Sequence, residues 1–276
     1  MYARSLLALS SFGPLLASAA DCTREFLKET ADNLLAAQEA GDPSLLKPVS
    51  DALVYHQNFA EAKVESGILS TAIKIEHSRH SLDTTQCATY TEIVSATGPT
   101  PYVIGTQMFF TDGAVSKIDT LVTTTGDWLF NATGTLYWAS REDWGTIPEE
   151  ERDSREVIQA AADAYLDIFS DKSVVVPWGY PCSRLEGGMY TGTGGPDDKC
   201  DVGIPSGVSL TNRRYVIDET VGAVSVFLSF AALPDSHEFR VEKGKLRYVH
   251  TITVMNTQGK SRGRRNVRSR LAQPPQ

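Results

Sequence analysis

The sequence lacks the short motifs that announce cofactor or nucleophile chemistry. It has no GxSxG elbow, no Walker loop, no HExxH helix and no dinucleotide-binding glycine pattern. Gly187-Gly188 and Gly192-x-Gly194-Gly195 are glycine-rich, but they follow Cys182 instead of an apolar strand and run into Pro196-Asp197-Asp198, which argues against a phosphate cradle. There is no CxxC pair and no histidine at ligand spacing from a cysteine, so neither a zinc site nor any other metal or cofactor is expected. No segment after residue 20 approaches the about 20 apolar residues that a bilayer span requires, so no membrane partner is expected.

What is present points to the secretory route. Met1-Tyr2-Ala3-Arg4, the apolar stretch 5–16 and Ala17-Ser18-Ala19-Ala20 have the basic start, short apolar core and small-residue end of a signal peptide, expected over 1–20. Four cysteines remain, Cys22, Cys87, Cys182 and Cys200, an even number for disulfides in an oxidising compartment. Three pairings exist; the Gly-, Pro- and Asp-rich segment between Cys182 and Cys200 favours joining those two, leaving Cys22 for Cys87. Asn131-Ala132-Thr133 is a glycan acceptor triplet beside the turn-forming Gly126-Asp127 and Gly134.

The net charge of -8 conceals a segregation. Lys260, Arg262, Arg264, Arg265, Arg268 and Arg270 crowd the last 17 positions. Without these six and Arg4, the segment 21–259 carries about -15, which repels phosphate backbones and excludes nucleic acid as a partner of the body. The tail 260–276 lacks apolar periodicity and reads as disordered.

An internal repeat organises the rest. At an offset of 131 positions TREFLKETADNLLAAQ, starting at Thr23, falls on SREVIQAAADAYLDIF, starting at Ser154, and FTDGAVSKIDTLVT falls on VEKGKLRYVHTITV. Each half opens with an amphipathic helix, capped by Thr23 or Ser154, and closes with a hairpin whose turn is Asp112-Gly113 or Lys243-Gly244. Strand-like runs fall at 67–75, 86–94, 102–110 and 115–123, then at 214–218, 223–230, 239–241 and 246–254. The expected fold is α+β: a tandem duplication of a helix plus a curved antiparallel sheet, on the plan of the cone-shaped nuclear-transport-factor-2-like fold. The units are expected at 21–140 and 141–259, joined near 136–151.

Candidate chemistry lies in polar residues on apolar strand faces. Alternation places His250 with Leu246, Tyr248, Ile252 and Val254, where an imidazole can exchange a proton near neutral pH or serve as a bonded core residue. Asp218, Glu219, His237 and Glu238 are candidates to converge on the same pocket, with Asp218 and His250 as an acid–base pair. Arg184, Glu186 and Tyr190 are placed for a lid, and Arg213-Arg214 for ion pairs with the acidic body. Trp128, Trp138, Trp144 and Trp178 offer stacking surface. The residue equivalent to His250 in the first half is Asp119, so at most one half does a given job.

The CTREFLKETAD opening, TTTGDWLFNATGTLYWAS centre, VPWGYPCSRLEGG loop and DSHEFRVEKGKLRYVHT ending resemble a family of secreted fungal proteins described only as a domain of unknown function. Close to it stand the glycosylated hetero-Diels-Alderases of tropolone–sesquiterpenoid biosynthesis. The resemblance implies a secreted, cofactor-free enzyme of secondary metabolism that joins a tropolone quinone methide to a humulene-type alkene. A cycloaddition needs aligned partners more than reactive protein groups. No residue role is carried over from the family; on the strand reading above, His250 and Asp218 are the catalytic candidates, and Arg184, Tyr190, Trp178, Tyr248 and His237 the substrate-binding ones. The alternatives are a cofactor-free isomerase, cyclase or dehydratase, or a secreted binder without turnover. Partners are expected to be apolar small molecules, with a homodimer as the oligomer to consider.

Overall fold

The structure, a computed structural model, describes residues 22–255, so the expected signal segment and basic tail lie outside the described residues. Helix α1 (Arg24–Ala40) starts where Thr23 Oγ1 accepts the Phe26 N–H and stops at Gly41, whose φ of 63° sends its N–H back to Ala37. A side chain at Gly41 would meet the backbone of Ala72 at 2.4 Å, so the stop fits glycine alone. Leu27, Ala31 and Leu34 form its buried stripe. The second copy of this plan is α3 (Arg155–Asp167), capped by Ser154 and buried through Ile158, Ala162, Tyr165 and Leu166.

Between the helices run β1 (Val49–Gln57), β2 (Ala60–Glu61), β3 (His77–Asp83), β4 (Ala88–Ser95), β5 (Tyr102–Thr111) and β6 (Ala114–Thr123). A short α2 (Ala132–Ala139) interrupts the connection between the units. The second sheet uses β7 (Trp178–Glu186), β8 (Met189–Tyr190), β9 (Leu210–Asp218), β10 (Ala223–Phe230), β11 (Leu233–Glu242) and β12 (Lys245–Thr253). The orders are β2-β1-β6-β5-β4-β3 and β8-β7-β12-β11-β10-β9, so the duplication extends to topology. The turns at Asp112-Gly113 and Lys243-Gly244 take positive φ at both residues, as tight hairpins require.

The expected antiparallel sheet is corrected to a mixed one: β1 runs parallel to β6, and β7 to β12. Residues 67–75 form no strand; 3₁₀ turns occupy Val64–Ser66 and Ile68–Ser70. Strands β1, β3 and β7 stand where no strand was expected. Polar HSRHSLD and Gly- and Pro-containing WGYPCSRLE carry little intrinsic strand preference, and tertiary packing overrides it.

Each sheet lays one face on its own helix and turns the other toward the opposite unit. Leu82, Met108, Phe110 and Ile118 pack on α1, and Val224, Phe239 and Val249 on α3. Tyr90 and Leu121 of the first sheet meet Val216, Phe227 and Ile252 of the second in a shared middle layer. The space between each helix and its sheet is therefore filled by core side chains, and what the two units enclose together lies between the sheets. Disulfides join Cys22 to Cys87 and Cys182 to Cys200. No helix among the described residues is long and apolar enough to cross a membrane.

Candidate functional site

A one-residue bulge decides where His250 points. In the β11–β12 ladder Arg240 faces Tyr248 and Val241 faces Leu246, which leaves Arg247 unpaired. Leu246 consequently packs toward α3, while Tyr248, His250 and Ile252 turn to the other face. The expectation that Leu246 shares a face with His250 is corrected by this bulge. Ser116, 131 positions before Arg247, is the bulged residue of the first unit.

His250 enters a buried ionic network built from both units. Its Nδ1 lies 2.9 Å from Glu92 Oε1, on β4 of the first unit, and its Nε2 lies 2.5 Å from Glu142 Oε2, on the segment between the units. Arg79, from β3, donates to Glu92 Oε2 at 2.9 Å and to Glu238 Oε1 at 2.7 Å. Ser81 also donates to Glu238 Oε1. Trp144 covers the network: its ring lies 3.6 Å from the Arg79 guanidinium, stacks on Tyr248 and meets His250 edge-on. Glu142 accepts two further donors, Trp144 Nε1 at 2.8 Å and the Tyr190 hydroxyl at 3.0 Å. Tyr190 in turn stacks on Trp138 with ring centroids 4.0 Å apart.

The charges organise one another. Burial alone would lower the His250 pKa, but the Glu142 and Glu92 carboxylates reverse that and push it up to about 10, so the ring is an imidazolium at neutral pH. Burial works to raise Glu92, and His250 and Arg79 outweigh it and hold that carboxyl well below the usual range. Glu238 shifts the other way, raised by burial and by Glu92 despite Arg79. Arg79 thus bridges two glutamates of different proton affinity, Glu92 favouring the charged form and Glu238 the protonated one.

Glu92, Glu238 and His250 present ligand-type atoms within 4.8 Å of one another. The Arg79 guanidinium bonds both glutamates and approaches His250 Nδ1 at 3.4 Å, so the cation in this space is arginine and the set does not fit a metal ion.

The expected site residues separate into three groups. His250, Tyr248 and Tyr190 gather around Glu142 and Trp144. Trp178 and His237 contact Tyr165 inside the second unit, at ring distances of 5.7 and 5.8 Å, and Arg184 lies beside the same tyrosine, paired with Glu186 at 3.0 Å. Arg184 belongs to β7 instead of a lid loop, and His237 bonds Asp235 at 2.6 Å on the face opposite Glu238. Asp218 forms no pair with His250: its carboxylate accepts from Arg24, the Leu82 N–H and the Thr220 N–H. Arg213 does pair with acids, Asp163 and Asp167. Asn131 is exposed and caps α2.

Sequence reasoning missed Arg79, Glu92 and Glu142. Glu92 carried a usable signal, a lone acid inside the β-branched and aromatic run ATYTEIVS, which demands a buried partner. Glu142 and Arg79 sit among other charges and gave none. At the duplicated location Arg79, Glu92, Glu238 and His250 correspond to Arg214, Phe227, Gln107 and Asp119. There Asp119 meets His56, Lys117 and Arg214, each partly exposed.

Residues 151–253 match a family model described as a domain of unknown function, DUF8021. The chain has no match among curated proteins. Among solved structures it is similar to AclR, a candidate hydroxylase from Streptomyces galilaeus. That likeness covers 37% of this chain and 91% of AclR at 15% identity, with a TM-score of 0.28.

Proposed function

We propose that the chain is a secreted, cofactor-free enzyme of secondary metabolism in which the His250 imidazolium is the acid. One observation carries this reading. Nδ1 of His250 is held by Glu92 of a sheet, whereas Nε2 is held by Glu142 of the segment 124–153, which lies over the network as a strap. The cavity beside His250 measures about 10 Å³, enough for no more than a water molecule. Turnover therefore requires the strap to lift, which makes room and uncovers the Nε2–H in one movement. Glu92 stays behind and keeps the ring charged and oriented.

The reaction class that fits is loss of water from a benzylic alcohol followed by cycloaddition. Nε2–H passes its proton to the leaving hydroxyl, the C–O bond breaks and water departs. The ring hydroxyl of the substrate then gives its proton to Nε2, which restores the imidazolium and leaves a neutral o-quinone methide. A hydrogen bond from the same N–H to the quinone-methide carbonyl favours addition of an alkene held alongside, and alignment of the two partners supplies the remainder. Tropolone and humulene-type partners are the substrates the sequence resemblance implies. Each unit is read as a nuclear-transport-factor-2-like cone, supported by the helix laid over a six-stranded sheet in which the first strand runs parallel to the last.

The test is adduct formation from a benzylic-alcohol tropolone and a humulene-type alkene, compared with heat-denatured protein. Acceleration with one dominant stereoisomer, lost in His250→Gln, supports the reading; a folded, oxidised sample that accelerates nothing overturns it. A second reading, binding without turnover, draws on a surface cleft of about 400 Å³ lined by Leu35, Glu39, Ile75, Glu76, His77 and Ser78.

A further inference from the structure

We propose that the Glu142 carboxylate occupies the ligand's place, and that the uncovered site binds a group presenting two adjacent oxygens, a carboxylate or a ring hydroxy-ketone. This rests on the preceding reading of the site and names the chemistry it recognises.

Glu142 uses both oxygens, each toward a different element of the folded body. Oε2 accepts from His250 Nε2 on β12 at 2.5 Å, and Oε1 accepts from the Tyr190 hydroxyl on β8 at 3.0 Å. The remaining donor, Trp144 Nε1, is two residues along the strap and would leave with it. Lifting the strap, which carries Trp138 and Trp144 away with Glu142, thus exposes two donors set one carboxylate bite apart; Leu185, which faces His250 across the ladder, is buried beside them. In the closed state one carboxylate pairs both donors, so a ligand able to accept from both at once can take its place without loss of either bond. A single hydroxyl satisfies one and leaves the other unpaired. A carboxylate or an ionised hydroxy-ketone satisfies both and also neutralises the imidazolium. Within the chain, Glu142 is a tethered competitor, and ligand affinity is reduced by the fraction of molecules in which it is bound.

Glu142→Ala is the deciding variant, with binding measured by titration calorimetry against acetate, tropolone and phenol. Tropolone is expected to bind the variant at least tenfold more tightly than the wild-type protein, acetate to compete with it, and phenol to bind no better than to wild type. Tyr190→Phe placed in the Glu142→Ala background should remove most of the gain. Equal binding to wild type and variant, or phenol binding as well as tropolone, overturns the proposal. If the alanine variant does not fold, Glu142→Gln replaces it: the neutral amide offers one acceptor oxygen to two donors and no charge to the imidazolium, so the same ranking with a smaller gain is expected, and no gain overturns the idea. Binding is scored without turnover, so tropolone capture without adduct formation would remove the cycloaddition and leave the subsite standing. Adduct formation with no Glu142-dependent binding would do the reverse.

Discussion

Arg24 of α1 grips Asp218 at the end of β9 through hydrogen bonds of 2.7 and 2.9 Å, and Arg155 of α3 grips Asp83 at the end of β3 through bonds of 2.8 and 2.7 Å. Each aspartate also accepts a backbone N–H from the opposite unit, Leu82 for Asp218 and Ile217 for Asp83, both at 2.8 Å. The contact is therefore reciprocal, in the manner of a two-fold dimer interface written into one chain.

Asp218→Ala strips a buried carboxylate from Arg24 and leaves the Leu82 N–H unpaired. A loss of about 3 kcal/mol in unfolding free energy is expected, and Asp83→Ala should match it. Urea unfolding of the two variants measures this; a change within about 0.5 kcal/mol in either would show that the pair contributes little.

Because the folded pKa of His250 is raised to about 10 from an ordinary value near 6.5, its contribution is fully present below about pH 6.5 and is lost as pH climbs toward 10. Stability should fall across that interval in the wild-type protein and fall less in His250→Gln. Parallel pH profiles for the two proteins would contradict the charge assignment.

Trp144→Ala removes the face that covers Arg79 and the ring stacked on Tyr248, at an expected loss of about 3 kcal/mol. Hydrogen exchange should rise over residues 132–147 while β4 and β12 keep their protection. Uniform loss of protection in both sheets would mean that the strap and the sheets open as one unit.

The Cys182–Cys200 bridge joins cysteines 18 positions apart, for which about 3 kcal/mol is expected on removal. The paired Cys182→Ser, Cys200→Ser variant should also loosen Tyr190, which lies inside the enclosed loop, from Glu142. Tyrosine and tryptophan near-ultraviolet circular dichroism reads this directly, since Trp138 stacks on Tyr190.

Legibility followed sequence distance. The capped helices, both glycine hairpins and the repeat announce themselves within a few residues, and the structure contains them. The loop composition between Cys182 and Cys200 was enough to favour the observed pairing. The bulge at Arg247 was invisible, because one extra residue in a strand leaves no trace in composition yet turns the following side chains over. Arg79 and Glu238 are 159 positions apart, and neither half alone contains the network. His250 stood out as a polar residue on an apolar face; its partners did not, since they come from the other unit and from the connection between them.

The exchanged arginines have one more consequence. Two identical chains meeting about a dyad repeat every mutation on both sides of the contact, so a gene encoding such a pair must accept or reject each change twice. Joining the copies frees the two sides to drift separately. Here one side carries Arg79, Glu92, Glu238 and His250 beneath Trp144, while its counterpart carries Arg214, Phe227, Gln107 and Asp119. A single connecting segment can cover one of two equivalent places and not the other, so fusion itself supplies the asymmetry that lets one half of an old symmetry specialise.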